Sequence, residues 1–279
     1  MDLIHIEAVV RPSDEGDLPA YSAGDAYVSG GTWLFSEDQP AARRLIDLSA
    51  IAWTPIATSP DEIVIAANCT YRQLEAFDWS ALPAGRIFPV AIRSLSSSFK
   101  TYGLATVGGN IGLAFAKGMM TPVFIALDAS YELVTPASAP GAPASVRLVS
   151  AAAFQTGVRQ TILGPGEYVR AIRVPRTAFA RRLVLRRAAH QASSHVTAMV
   201  IAAADPVSGA VTLTLSGALN YPVKFTLDPA TPVAAQVDAV CAVHPLLADS
   251  HGGEAYRQTL LRELATEALA ALAAPDHAA

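Results

Sequence analysis

Two short stretches set adjacent glycines behind a strand-like apolar run and ahead of a polar side chain: "VSGGTWLF" (28–35) and "ATVGGNIG" (105–112). A Gly-Gly turn can present several backbone N–H groups to one anion. Without Cβ atoms the main chain can approach a phosphate closely, and positive φ is allowed. Thr32 and Asn110, immediately behind the pairs, each add a side-chain donor. Two such loops could clasp one pyrophosphate between them, although each pair by itself also reads as an ordinary turn. Other nucleotide signatures are missing: "LGPGEY" (163–168) lacks the third glycine of G-x-G-x-x-G, and no G-x-x-x-x-G-K-[ST] occurs. There is no H-E-x-x-H and no G-x-S-x-G, so no metal ligands and no catalytic residues are assigned. His190 and His195 flank "QASS" without a carboxylate and read as surface or core residues. Cys69 stands before Thr70 at an expected helix start, where a thiolate is possible and a buried structural thiol is the simpler reading.

The elements that must hold these loops are also signalled. "LIHIEAVVRP" (3–12), "AYVSGG" (26–31), "RRLIDLS" (43–49) and "EIVIAAN" (62–68) read as strands. Thr70 with Gln73 forms a capping box that opens a helix running through Leu74 and Phe77. Ile92, Leu95 and Phe99 recur at helical spacing, which predicts a helix over 87–99. Thr121-Pro122 reads as N-cap and first position of another helix. Strands follow at 130–134, 146–150, 167–175, 181–187, 196–204 and 211–217, with a Pro/Ala loop at 135–145. In "RRLVLRR" (181–187) the arginines are expected to be solvated. Thr231-Pro232 opens a helix, and the longest helix covers 254–272, with Tyr256, Leu260, Leu264 and Ala268 on one face. That helix faces either a partner or the local core. Strands, helices, consecutive strands and then helices make an α+β chain.

With 279 residues the chain has room for two domains or subdomains. Hydrophobic residues at 52% against 16% charged allow a large core and an apolar face for a partner. A net charge of -4 without a basic block argues against nucleic acid. No uncharged apolar run reaches the roughly 20 residues that span a bilayer, which argues against membrane insertion. The N-terminus carries no basic n-region, and a cytoplasmic location is expected. Cys69 and Cys241 are too few for a disulfide framework or an iron–sulfur cluster held by this chain.

In order and spacing the motifs resemble the FAD-binding medium subunit of the molybdenum hydroxylases, the xanthine dehydrogenase and carbon monoxide dehydrogenase family. "VSGGTWL" (28–34) looks like the first flavin loop, A-G-G-T-x-L, and "ATVGGNI" (105–111) like the second, T-[IV]-G-G-N. "LIDLS" (45–49), "PVFIALDA" (122–129), "FQTGVRQTILGPGEYVRAIRVP" (154–175) and "DSHGGEAYRQTLL" (249–261) follow where the family has similar runs. The resemblance covers nearly the whole chain. It implies a two-subdomain FAD-binding fold of the vanillyl-alcohol oxidase (PCMH) type over 1–175, with subdomains of about 1–52 and 53–175. A small C-terminal sheet-and-helix domain would occupy 176–279.

By the same resemblance Val28, Ser29, Gly30, Gly31 and Thr32 line the FAD pyrophosphate, mostly through backbone N–H groups, with Trp33 and Leu34 beside them. Ala105, Thr106, Gly108, Gly109 and Asn110 complete the cradle; Val169 contacts the flavin or adenine, and Arg187 lies beside the isoalloxazine. The implied role is electron transfer. The chain would take electrons from two [2Fe–2S] clusters of a small subunit and pass them to an external acceptor. A large subunit would carry the molybdopterin cofactor, in a dimer of heterotrimers. A stand-alone FAD-dependent oxidoreductase of the same fold, or a scaffold subunit that has lost FAD, remain the alternatives. Departures from the family pattern bear on the second of these. Met119 occupies a usually acidic position, and Trp33 stands where Asp, Asn or His is usual, to stack on the cofactor or cover it. A frequent Asp is replaced by Ser194 or His195, and the helix before the first loop is reduced to the Pro- and Gly-broken stretch 12–25.

Overall fold

The computed structural model describes residues 3–95, 99–137, 143–191 and 194–274. The chain begins with three short strands, β1 (Ala8–Val10), β2 (Asp25–Val28) and β3 (Arg44–Asp47). They form a parallel sheet in the order β1-β3-β2, so β2 runs directly into the first Gly-Gly pair. Next come β4 (Ile56–Thr58) and β5 (Glu62–Ala66), whose Ile63 and Ile65 are fully buried. The helices α1 (Tyr71–Ala76), α2 (Ile87–Arg93), α3 (Phe99–Leu104), α4 (Val107–Leu113) and α5 (Met120–Ala126) follow. Then come β6 (Ser130–Thr135), β7 (Ser145–Ser150), the short α6 (Ala151–Phe154), the two-stranded hairpin β8 (Gln155–Gly157) and β9 (Gln160–Thr161), and β10 (Tyr168–Pro175). A five-stranded antiparallel sheet, β4-β5-β10-β6-β7, carries α1, α2, α4 and α5 on one large core.

The last part contains β11 (Arg182–Ala188), β12 (Ala198–Ala204), β13 (Val211–Ser216), β14 (Val223–Thr226), α7 (Val233–Val243) and α8 (Glu254–Ala273). Its antiparallel sheet is buried on both faces. Met199 and Ile201 of β12 join the large core, while Ala198, Val200 and Ala202 pack under α7 and α8. Period-two alternation between two apolar layers is why "AMVIAAA" carries no polar side chain.

Several expectations need correction. The second Gly-Gly pair is not a turn but the first turn of α4. Thr106 is the N-cap, its Oγ1 accepting from Gly109 N at 3.2 Å. Thr121 is not an N-cap: α5 starts at Met120, and Pro122 is accommodated within its first turn. The buried face of α8 is Arg257, Leu261, Leu264, Ala265, Ala268 and Leu272, and Tyr256 points outward at 50% exposure. The arginines of "RRLVLRR" (181–187) are not simply solvated. Arg181 pairs with Asp128 and Asp205, and Arg182 caps α8 through the carbonyls of Ala271, Leu272 and Ala274. The expected helix over 87–99 ends at Arg93, and residues 96–98 lie outside the described residues, as do 138–142 of the Pro/Ala loop. β4, β8, β9 and β14 are too short to have registered as periodic runs.

The capping box forms as the spacing requires. Thr70 Oγ1 accepts from Gln73 N at 3.2 Å, and Gln73 Oε1 accepts from Thr70 N at 2.9 Å. We expect Thr70→Ala to cost about 1 kcal/mol in urea unfolding, as for caps of this type; no change in the midpoint would refute the cap's contribution.

Candidate functional site

A cavity of about 480 Å³ opens where the two Gly-Gly segments meet. Residues 28–34, Ala105, Thr106, Gly108, Gly109, Asn110 and Val169 all line it. Arg187 is not among them; it lies on β11 opposite Met199 of β12.

The glycines play different parts. A Cβ on Gly30 would sit 1.8 Å from the Leu104 carbonyl oxygen, so this glycine lets the first loop pack onto the segment leading into α4. A Cβ on Gly108 would meet the Ala67 Cβ at 2.5 Å, so α4 lies directly on the end of β5. Gly31 turns the first loop with φ +65. On Gly109 a Cβ would approach only Thr106 Oγ1, at 3.0 Å, and would otherwise enter open space.

The two loops also differ as donors. In the second, Val107 N donates to Cys69 O, Gly108 N to Ala67 O, Gly109 N to Thr106 Oγ1 and Asn110 N to Thr106 O. Those N–H groups hold the fold and are not free for an anion, so the second Gly-Gly pair does not present its amides as the sequence suggested such a pair could. In the first loop the N–H groups of Gly30, Gly31, Thr32 and Trp33 are bonded to no acceptor among the described residues. The second loop therefore provides close approach, and the first provides donors.

Beyond the loops the wall is aromatic. Tyr27 and Tyr168 pack with ring centroids 5.1 Å apart, and Trp53 stacks on Tyr168 at 6.3 Å. A bulge in β10 between Val169 and Ala171 distorts the strand where it borders the cavity. These aromatic contributions were missed in the sequence, because residues 27, 53 and 168 come from three separate segments. Among the described residues, the charged side chains lining the cavity are Arg159 and Glu167. The Arg147 guanidinium, at 2.6 Å, together with the Gly164 N–H, holds the Glu167 carboxyl below its ordinary range.

The remaining candidates lie elsewhere. Burial pushes the Cys69 thiol up to about 12, which leaves it a structural thiol. Met119 is 1% exposed in the large core and does not face the cavity. His195 packs edge-on against Phe115, and burial, with Lys117 and His251 nearby, lowers its pKa. His190 Nε2 lies 3.1 Å from the carbonyl of His251.

These features suit an elongated ligand with an anionic centre. Ser29 Oγ and Tyr168 Oη are enclosed without a hydrogen-bond partner among the described residues, and both residues belong to the wall. Open amides, the space at Gly109 and the aromatic surface match the diphosphate and flat rings of FAD.

A family model described as "FAD binding domain in molybdopterin dehydrogenase" matches residues 10–177. Solved structures match over nearly the full length. A chain of reconstituted CO dehydrogenase from Oligotropha carboxidovorans aligns at 20% identity and TM-score 0.79, covering 95% of this chain and 96% of that one. A chain of carbon monoxide dehydrogenase from Hydrogenophaga pseudoflava gives 19% identity and TM-score 0.80, covering 96% and 97%. Quinoline 2-oxidoreductase from Pseudomonas putida 86 gives 19% identity and TM-score 0.76, covering 98% of each chain. At these identities the likeness speaks for the fold. No curated protein sequence matches the chain.

Proposed function

Because this chain belongs to the family of FAD-binding domains in molybdopterin dehydrogenases, we propose that it is the electron-transfer flavin subunit of a multi-subunit molybdenum hydroxylase of the xanthine dehydrogenase family. The observation that carries the reading is the set of open N–H groups in the first Gly-Gly loop, set against a cavity that the second loop shapes by close packing. The amides of Gly30, Gly31, Thr32 and Trp33 would hold the diphosphate, with Ser29 Oγ as a further donor. Gly109 leaves room for it, and Tyr27, Trp53, Tyr168 and Val169 would flank a ring system. Bound FAD supplies the capacity to take up electrons and give them up.

The chain's own residues favour a relay over substrate oxidation. Glu167, the carboxylate in the wall, is already committed to Arg147 and Gly164, so it is poorly placed to move a substrate proton. That argues against a stand-alone oxidoreductase, and the uncommitted amides argue against a scaffold that has lost FAD. A large molybdenum-cofactor subunit and a small iron–sulfur subunit would complete the complex as a dimer of heterotrimers. One of the similar structures is described as lacking the Mo-pyranopterin moiety of its molybdenum cofactor, which supports a molybdenum partner here. We divide the chain into a FAD-binding domain, 1–175, and a C-terminal domain, 176–279, where β10 leaves the five-stranded sheet. A cytoplasmic complex is proposed; among the described residues no helix is long and apolar enough to cross a membrane.

Co-expression with its genomic neighbours tests this directly. Flavin absorbance with iron and molybdenum in one purified complex is the expected result. Turnover by the flavin-bearing chain alone would favour the stand-alone enzyme, and a colourless chain within an intact complex would favour the scaffold.

A further inference from the structure

Among the segments that line the cavity are the first Gly-Gly loop, α4 and, through Arg159, the β8–β9 hairpin. Their joints differ in kind. The first loop meets the entry to α4 through Gly30 and the Leu104 carbonyl, in a packing contact with no space for a Cβ. The end of α4 holds the hairpin through main chain. The Ala114 carbonyl accepts from Arg159 N at 2.9 Å and from the buried Gln155 Nε2 at 2.8 Å. Between the hairpin and residues 28–37 there is no main-chain hydrogen bond among the described residues.

That third joint consists of side chains. The Arg159 guanidinium lies 4.8 Å from the centroid of the Trp33 ring. Arg159 also donates to Glu37 at 3.3 and 3.4 Å, and Trp33 Nε1 donates to Glu37 Oε1 at 3.2 Å. Trp33, Glu37 and Arg159 thus form a closed triangle at the rim, bridging segments 122 positions apart in sequence. Arg159 is presented at the hairpin tip with φ +55, a left-handed conformation held by its own bond to Ala114. The Arg159 and Glu37 side chains are 45% and 47% exposed, so water and salt weaken their pairing. Of the joints among these three segments, two are made by backbone packing or bonding and one by half-exposed side chains.

We propose that Trp33, Glu37 and Arg159 act as a clasp across the cavity, and that its opening governs how fast the bound cofactor leaves. The proposal rests on the FAD reading above. Within the clasp the Trp33 indole is the surface on which the hairpin tip latches. Asp or Asn at this position would offer no ring face for the guanidinium. A clasp of this kind lets the site load without disturbing either packed joint.

The test is the rate of FAD release from the purified complex, followed by flavin fluorescence after dilution. Arg159→Ala and Trp33→Ala are each expected to release FAD about tenfold faster, the equivalent of about 1.4 kcal/mol. The double variant should exceed the faster single by no more than about twofold, because both changes break one triangle. Arg159→Lys keeps the charge but not the planar fork, so it should restore only part of the retention. Added salt should speed release from the parent and not from Arg159→Ala. Amide exchange should rise over residues 155–161 in both alanine variants and stay unchanged over α4. Release from both variants at the parent rate, with the parent carrying flavin, would overturn the clasp and leave the FAD reading intact. A parent complex without flavin would overturn the FAD reading itself.

Discussion

Gly109→Val is expected to give a folded protein that retains much less FAD than the parent. Gly109 lies in the cavity wall, and its added Cβ would approach only Thr106 Oγ1, at 3.0 Å. The larger side chain would enter cavity space, so the apoprotein bears little of the strain. In the complex the same atoms compete with the cofactor, and over-packing of this kind costs about 1–3 kcal/mol or more. Affinity should fall by about two orders of magnitude at the upper end of that range. Gly30 and Gly108 provide the contrast. A Cβ there strikes the Leu104 carbonyl at 1.8 Å or Ala67 at 2.5 Å, so Gly30→Val and Gly108→Val should reduce soluble yield and melting temperature as well. Flavin absorbance per protein, read beside a far-ultraviolet thermal melt, separates the cases. A Gly109→Val protein with full flavin content would remove α4 from the site.

Asp249→Ala is expected to cost about 3 kcal/mol of stability at neutral pH, the lower end of the cost of breaking a buried ion pair, since Asp249 itself is partly open to water. The carboxylate meets Lys117 Nζ at 2.8 Å and Arg257 at 2.5 Å, and those two side chains are 7% and 0% exposed. Arg257 also donates to the carbonyls of Thr197, Gly217 and Gly252. Together these contacts join the start of α8, the sheet of β12 and β13, and the turn before α5. Burial by itself would raise the Asp249 pKa; Lys117, the His251 N–H and Arg257 outweigh it and hold the carboxyl well below the usual range. The sign follows. A depressed carboxyl contributes its stability above its unfolded value of about 3.9 and loses it as pH falls through the folded value. The gap between parent and Asp249→Ala in urea unfolding should therefore be full at pH 7 and close progressively below about pH 4. A gap that stays constant into acid would show that the carboxylate charge contributes nothing.

Much of the architecture was legible because it depends on local patterns. Alternation in "EIVIAAN" and "EYVRAIRVP" marks strands whose apolar positions fill the large core, and Thr70 with Gln73 marks the start of α1 to the residue. The positions of both Gly-Gly pairs were visible too, and both line one cavity. Less legible were the separate roles of the individual glycines. Close approach at Gly30 and Gly108 depends on Leu104 and Ala67, which no local pattern connects to them. The same holds for the donors. Nothing near Val107 and Gly108 in sequence says that their N–H groups are used by Cys69 and Ala67.

By itself, then, the sequence determined the order of the longer strands and helices, the capped start of α1, the family, and the two segments that meet at the cavity. These rest on short-range periodicity, on cap geometry and on motif order, all written along the chain. Only the tertiary structure decided which loop keeps open amides, that Tyr27, Trp53 and Tyr168 form one aromatic surface, and that Trp33 meets Arg159. It also decided that Arg257 is wholly buried on the inner face of α8. A helical period places residue 257 on a face; whether a charge can be tolerated there depends on Asp249 and on carbonyls 40 and 60 positions away. Partner identity at such separations is set by packing, because a buried charge is stable only where the fold brings its counter-charge and acceptors together.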